Sequence, residues 1–449
     1  MNADRFVQPW HRLIGFIGFG IVVGTFSSPY IQAFDNAVPL LMALVALCVA
    51  LQRRSAASIV VLFLVGCIFG GYRGAHELSK RAFLTEATGS EIVVIGTISE
   101  DPILSLRGET VIELKDLEIN NQRRAGVLRV SFSSSQRLKR GERVGVSGVI
   151  DAGQTQGSAR MYRADLLSTS GELADTGRVI RDEFAADMRA VIDEPEATLA
   201  AGFLLGQTSE LPEKLSSELR LLGLTHIVVA SGFNLTVLIR AARRSALHLS
   251  RFSGLAVAVL LVVGFVLVAG FSASLSRALI IAVLSLLAWY YGRSFHPLLL
   301  IVVSAALSLL NNPAFAWGDL GWLLSYLAFV GVMMLAPLMH AYFWGEQKPR
   351  FIRQVAVETL AAQLMTLPLI TYVFGQYSPL SFVANVLVVP VIPFAMLFSF
   401  IAGSLSGLFG GVGAFGWPSE WLLRHVTTAV STLASVAKSP STIVTGFTN

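Results

Sequence analysis

Apolar runs long enough to suggest membrane helices alternate with short polar stretches along most of the chain, with one long interruption. Three runs open it, at residues 13–25, 37–51 and 59–71. The first two are short against the ~20 residues a helix needs to cross a bilayer, so their ends are left open. From about residue 89 to 175 the period changes. Residues 91–98, 110–114, 126–132 and 143–150 alternate apolar and polar positions as strands do, with turn chemistry at Asn120-Asn121 and Lys139-Arg140-Gly141. A last candidate strand covers 161–167. About five strands in so short a stretch predict a small closed barrel. Residues 178–193 then read as an amphipathic helix, with Val179, Phe184, Met188, Val191 and Ile192 among charges and Pro195 ending it. Further apolar runs follow at 223–240, 253–270, 277–291, 297–310, 320–339, 355–374, 380–403 and 417–436.

Composition makes these runs membrane spans. Hydrophobic residues are 54% of the 449, and charged residues only 14%, against roughly 25% in soluble proteins. The first run continues into two more, which argues against a cleavable signal peptide. Lys and Arg give the orientation. Arg5 and Arg12 precede the first run and Arg53 and Arg54 lie between the second and third, whereas 27–36 has neither residue type. By the positive-inside rule the N-terminus is cytoplasmic and the β-rich stretch lies outside. Later loops repeat the sign pattern. Arg240, Arg243, Arg244 and Arg251, then Arg293, then Lys348, Arg350 and Arg353 mark cytoplasmic loops; 271–275, 311–313 and 376–379 carry no Lys or Arg. The run at 417–436 returns the C-terminus outside, although the loop before it has no basic residue to orient it. The expected fold is a polytopic α-helical membrane protein of about ten to eleven membrane helices with an inserted small all-β extracytoplasmic domain. Its parts are N-terminal membrane helices (1–75), a barrel (89–175), amphipathic and connecting helices (176–220) and a second membrane domain (221–449). The net charge of +5 suits anionic lipid or nucleic acid equally. Cys48 and Cys67 both sit in apolar runs and offer neither a disulfide framework nor a zinc pattern.

Several spans carry polar groups, which at membrane depth face protein or water rather than lipid. On an unbroken helix, with His226 at zero, Asn234 falls at about 80° and Ser231 at about 140°, so the three share one side. Gly223 and Gly232 let a neighbouring backbone approach or the helix break. Such a helix reads as the wall of a polar pathway. Arg277 opens a span behind an uncharged loop, placed either to guide a polyanion inward or to snorkel to lipid phosphates. Gln363 and Asn385 present neutral amides to whatever moves along such a pathway or bridge helices, and His226 taken alone is a helix-packing hydrogen-bonder. Glu358 is expected to pair with a base such as Arg353 or to sit at the cytoplasmic surface. In the barrel, Arg123, Arg124, Arg129, Arg137, Lys139, Arg140 and Arg143 make a basic stretch that suits phosphates. Phe132 and Tyr162 are almost the only aromatics there, few for a base-stacking platform, so a solvated face on a structural barrel is the competing reading. There is no Gly-x-x-x-x-Gly-Lys phosphate loop, and the seven histidines are scattered; no cofactor or metal is implied.

The stretch Gly223-Leu-Thr-His226 through Ser231-Gly232-Phe-Asn234 resembles the signature helix of ComEC-type competence proteins, the inner-membrane DNA-uptake channels of transformable bacteria. That family reads Gly-Leu-Ser-His, a few apolar residues, then Ser-Gly-Leu-His; Asn234 stands where its second His does. Gly202-Phe-Leu-Leu-Gly206, Ser276-Arg277-Ala278, Gly321-Trp-Leu-Leu-Ser325, Ala362-Gln363 with Leu367-Pro368, and Asn385 with Pro390 are similar to further family phrases in the same order. The resemblance implies an OB-like barrel at 89–175 and a channel for single-stranded DNA lined by His226, Ser231, Asn234, Arg277, Ser325, Gln363 and Asn385. It also implies a periplasmic or surface DNA receptor and a cytoplasmic ATP-driven motor as partners. Many members add a C-terminal metallo-β-lactamase-like domain; this chain ends at Asn449, so strand degradation is expected from a separate nuclease. Two other readings compete. One is a transporter of another substrate or a membrane scaffold of an uptake complex. The other is an intramembrane serine hydrolase using Ser231 and His226, which the ~140° between them disfavours.

Overall fold

The computed structural model describes residues 8–31, 39–40, 42–43, 46, 56–104, 109–119, 122–124, 126–133, 138–152, 159–170, 176–207, 210–228, 235, 251–269, 273–292, 296–345, 350–374, 376–437 and 444–445. In chain order, α1 (Gln8–Ser27) and α2 (Ala56–Glu86) lead to strands β1 (Glu91–Ile98), β2 (Ile103–Leu104), β3 (Thr110–Ile119), β4 (Gln122–Arg124), β5 (Leu128–Phe132), β6 (Arg143–Ala152), β7 (Ala159–Met161) and β8 (Asp165–Ser170). Then come α3 (Thr176–Arg189), α4 (Glu196–Leu205), α5 (Glu213–Leu221), α6 (Thr225–Val228), α7 (Arg251–Ala269), α8 (Ala273–Tyr290), α9 (Pro297–Asn311) and α10 (Phe315–Gly318). Helix α11 (Leu320–Val330) passes through a π-helical turn, Gly331–Leu335, into α12 (Ala336–Trp344). The chain ends with α13 (Phe351–Phe374), β9 (Gln376–Tyr377), α14 (Leu380–Val388), α15 (Ile392–Phe409), α16 (Trp417–Ala437) and β10 (Val444–Thr445).

Among the described residues five stretches are long and apolar enough to cross a membrane: Leu13–Tyr30, Ile59–Leu84, Leu320–Trp344, Arg353–Val373 and Ile392–Phe409. Glu196–Leu205, Phe252–Leu267, Leu275–Tyr290 and Pro297–Asn311 are apolar but shorter. The run expected at 37–51 and most of that at 223–240 lie outside the described residues. Two expectations change. The single run at 380–403 is two helices, α14 and α15, parted at 389–391, where Pro390 and Pro393 interrupt the backbone ladder. The run at 417–436 is not among the five: α16 is amphipathic, burying Leu423, Val426, Val430 and Ala434 while Trp421 and Arg424 stay exposed.

The chain forms two compact units, Met1–Ala174 with Arg293–Leu323, and Asp175–Gly292 with Leu324–Asn449. Residues 293–323 therefore cluster with the N-terminal part rather than with the rest of 221–449. The reason is direct packing: Gly15 and Gly18 of α1 face Leu299 and Val302 of α9.

In the first unit α1 and α2 meet backbone to backbone. Gly20 and Gly24 oppose Gly66 and Gly70, two small-x-x-x-small pairs. A Cβ on Gly24 would collide with the Cys67 carbonyl, and one on Gly66 with that of Ile17. Thr25 Oγ1 donates to Gly70 O at 3.3 Å, and Trp317 Nε1 donates to Thr25 O at 3.1 Å. These contacts make α1, α2 and α9 run in the same direction, as the charge pattern requires of them.

Helix α2 does not stop at residue 71 but continues as one 31-residue helix to Glu86. Its end enters the β domain, where Leu84 is 1% exposed. There the sheet closes on itself in the order β1-β3-β5-β7-β6 and back to β1, a five-stranded barrel with β5 and β7 parallel and its other neighbours antiparallel. Alternation explains the core: Val94, Ile112, Leu114, Leu128, Val130, Val144, Val146 and Ile150 all turn inward. The strand expected at 161–167 is broken. Residues 162–164 separate β7 from β8, and Arg163 takes a φ of 51°, which ends an extended run.

In the second unit α3, α4 and α5 share one core with α14, α15 and α16. Helix α3 lies on α15, with Phe184 and Met188 against Gly403 and Asp187 against Gly407. The inward face of α3 differs from the expected one. Arg178 and Arg181 are each 3% exposed, whereas Val179 is 44% exposed. Both arginines reach Asp182, at 3.4 and 3.0 Å, which offsets the cost of burying them. At the far end, β9 pairs with β10, Tyr377 opposite Val444.

Candidate functional site

The second unit brings several of the expected polar residues together. Helix α5 ends in a glycine C-cap: Gly223 has φ +65°, its N–H donates to Arg220 O, and Leu224 N–H donates to Leu219 O. Leu222 and Leu224, both buried, pin the turn on either side. The backbone sign at Gly223 favours glycine, and a Cβ there would lie 2.8 Å from Ser381 Oγ, so a side chain would also push that hydroxyl aside. The chain re-enters helix at α6, where His226 Nδ1–H donates to Gly223 O at 2.8 Å. That bond leaves Nε2 as the lone-pair nitrogen of the neutral ring. His226 is exposed, whereas its neighbours Ile227 and Val228 are buried. Ser231 and Asn234 lie outside the described residues.

Ser381, in the first turn of α14, is the meeting point. Gln363 Nε2 of α13 donates to its Oγ at 3.2 Å, and Asn385 Nδ2 donates to its backbone oxygen at 2.8 Å. Gln363 Oε1 and Ser378 Oγ are buried without a hydrogen-bond partner in the protein. Unmatched buried polar atoms are uncommon, and these two belong to residues next to Ser381: Gln363 bonds it, and Ser378 stands three residues before it. Neither Ser378 nor Ser381 stood out in the sequence. The available signal was Ser378-Pro-Leu-Ser381 at the edge of an apolar run.

Arg277 and Ser325 belong to a neighbouring group. The Arg277 guanidinium lies 5.6 Å from the Tyr326 ring and 5.9 Å from that of Phe329, both on α11. Its Nε has no hydrogen-bond partner. Two aromatic faces hold such a cation while leaving its in-plane donors available. Ser325 precedes Tyr326 and is half-buried. The two groups are linked through the π turn, an irregularity frequent at functional sites. A Cβ on Gly331 would sit 2.6 Å from Ala361 O, two residues before Gln363. Thus α8, α11, α13, α14 and the α5–α6 turn form one contact chain from Arg277 to His226. Glu358 accepts from Gln354 Nε2 at 2.8 Å, and Arg353 stacks 5.2 Å from the Trp344 ring.

The basic stretch of the barrel is not one track. Arg129 pairs with Glu113 at 3.7 Å, Arg143 pairs with Glu118, and Arg140 is buried. Arg123, Arg124 and Lys139 are exposed, and Arg137 lies outside the described residues.

A family model described as Competence protein matches residues 203–447, more than half of the chain. No curated protein and no solved structure matches it.

Proposed function

The chain belongs to the competence protein family, whose role is in DNA uptake during transformation, and from that membership we propose that it is a channel passing single-stranded DNA across the cytoplasmic membrane. The observation that carries the proposal is the convergence on Ser381: Gln363 of α13 donates to its hydroxyl, the Gly223 turn packs against that hydroxyl, and Asn385, one turn along the same helix, donates to its backbone carbonyl. Uncharged hydrogen-bonding groups suit a moving polyanion, because weak repeated contacts allow it to slide where tight phosphate clamps would hold it. Arg277, held by its two rings, supplies attraction at one point along that row, and Ser325, Ser231 and Asn234 complete the lining. In this reading the chain is a conduit rather than an enzyme. A surface or periplasmic receptor delivers the DNA, a separate nuclease removes the other strand, and a cytoplasmic motor pulls.

The same proposal places an OB-type barrel outside the cytoplasm, with the membrane helices of 1–75 before it and the channel within 221–449. Closure of five strands with one parallel pair supports the barrel type. The common direction of α1, α2 and α9 supports the orientation. In the strain that carries it, deleting the gene should stop DNA from reaching the cytoplasm while surface binding persists. Gln363→Leu should lower transformation at unchanged protein level. Normal transformation in the deletion strain would overturn the channel.

A further inference from the structure

We infer that the junction of α2 and β4 is a binding site for the phosphate of an anionic phospholipid headgroup. A cleft of about 370 Å³ opens there, lined by Ser79, Lys80, Phe83, Glu86, Arg123 and Arg124. The Arg124 guanidinium lies 5.5 Å from the Phe83 ring, and its Nη2 donates to Gln122 Oε1 at 2.8 Å, so its position is fixed from two sides. Three cations face one carboxylate, an excess that suits a phosphodiester. Bidentate guanidinium donors match its oxygens.

Position selects lipid over nucleic acid. The apolar stretch of α2 begins at Ile59, and ~20 helical residues cross the hydrocarbon. Ser79 and Lys80 therefore reach the headgroup layer. A DNA strand, by contrast, needs a succession of phosphate sites. The next bases along the barrel, Arg129 and Arg143, are already paired with Glu113 and Glu118. The cleft thus offers one anionic site at lipid height. This inference is independent of the channel reading.

The test is native mass spectrometry of the full chain released from nanodiscs containing phosphatidylglycerol and phosphatidylcholine, alongside anisotropy titration with a labelled single strand. Arg123→Ala/Arg124→Ala should weaken phosphatidylglycerol retention on the order of tenfold, with strand binding unchanged. Lys80→Ala, which leaves the barrel untouched, should weaken it less but in the same direction. Equal lipid retention in all three proteins would overturn the site. So would loss of strand binding with lipid retention intact, which would make the cleft a nucleic-acid site.

Discussion

Ser381 illustrates how one small side chain acquires a role from its surroundings. Serine is common in apolar helices, where its hydroxyl usually satisfies itself on its own backbone, so nothing in its local sequence distinguishes it. It becomes a hub because the left-handed turn at Gly223 leaves room for it and Gln363 reaches it from another helix. Amides such as Gln363 and Asn385 are legible because they are costly inside a membrane; Ser381 is not, because its partners arrive through long-range packing. Glu100, at the rim of the barrel, is a second case. Surrounding protein and the charges of Glu113, Asp319 and Asp101 lift its carboxyl from about 4.5 to about 7, against the opposing pull of Arg129. The folded state then holds this proton more tightly than the unfolded one. Its contribution to stability is full below pH 4.5, is lost as pH rises to about 7, and is level above that. Thermal melts at about pH 5 and about pH 7.5 should show a smaller difference for Glu100→Gln than for the unaltered chain. Identical differences would show that Glu100 does not carry the effect. Added salt should shrink only the part of the gap that comes from the neighbouring carboxylates.

At the scale of elements, the barrel strands were the most legible part of the sequence. Period-two alternation gave β1 with its observed bounds, since a closed sheet with one buried face imposes that period. The 161–167 strand failed because composition does not reveal a reversal at Arg163. Helix α3 was legible in position but not in facing: the pattern assumed apolar residues turn inward, and here two arginines sharing Asp182 do so. The α1–α2 contact is not legible in the sequence, because glycines in apolar runs look ordinary until two spaced pairs face each other. Its consequence can be measured. Gly66→Val drives a branched side chain into the Ile17 carbonyl, where overpacking typically costs about 1–3 kcal/mol. The variant should accumulate poorly and melt lower, whereas Gly264→Val, with open space around it, should behave like the unaltered chain. Equal melting of all three would remove the glycine contact as a stabilising feature.

Across the molecule, the charge pattern predicts an orientation for the helices where Lys and Arg mark the loops and has nothing to read where they are missing. Alternation alone assigns the uncharged turn 410–416 to the cytoplasm. With Cys48 and Cys67 replaced by alanine, Ala414→Cys should then react with a membrane-impermeant maleimide only after permeabilisation. Labelling in intact cells would break the alternation at that turn. The continuity of α2 into the barrel has a mechanical corollary. With Leu84 seated in the β core and only the short turn 87–90 between helix and strands, the β domain is mounted on a shaft, not hung on a tether. Lengthening that shaft by one residue would swivel the whole domain by about 100°, whereas four added residues would nearly restore its heading and lift it by about 6 Å. Compass bearing and height above the lipid are thus set together, by the residue count of a single helix.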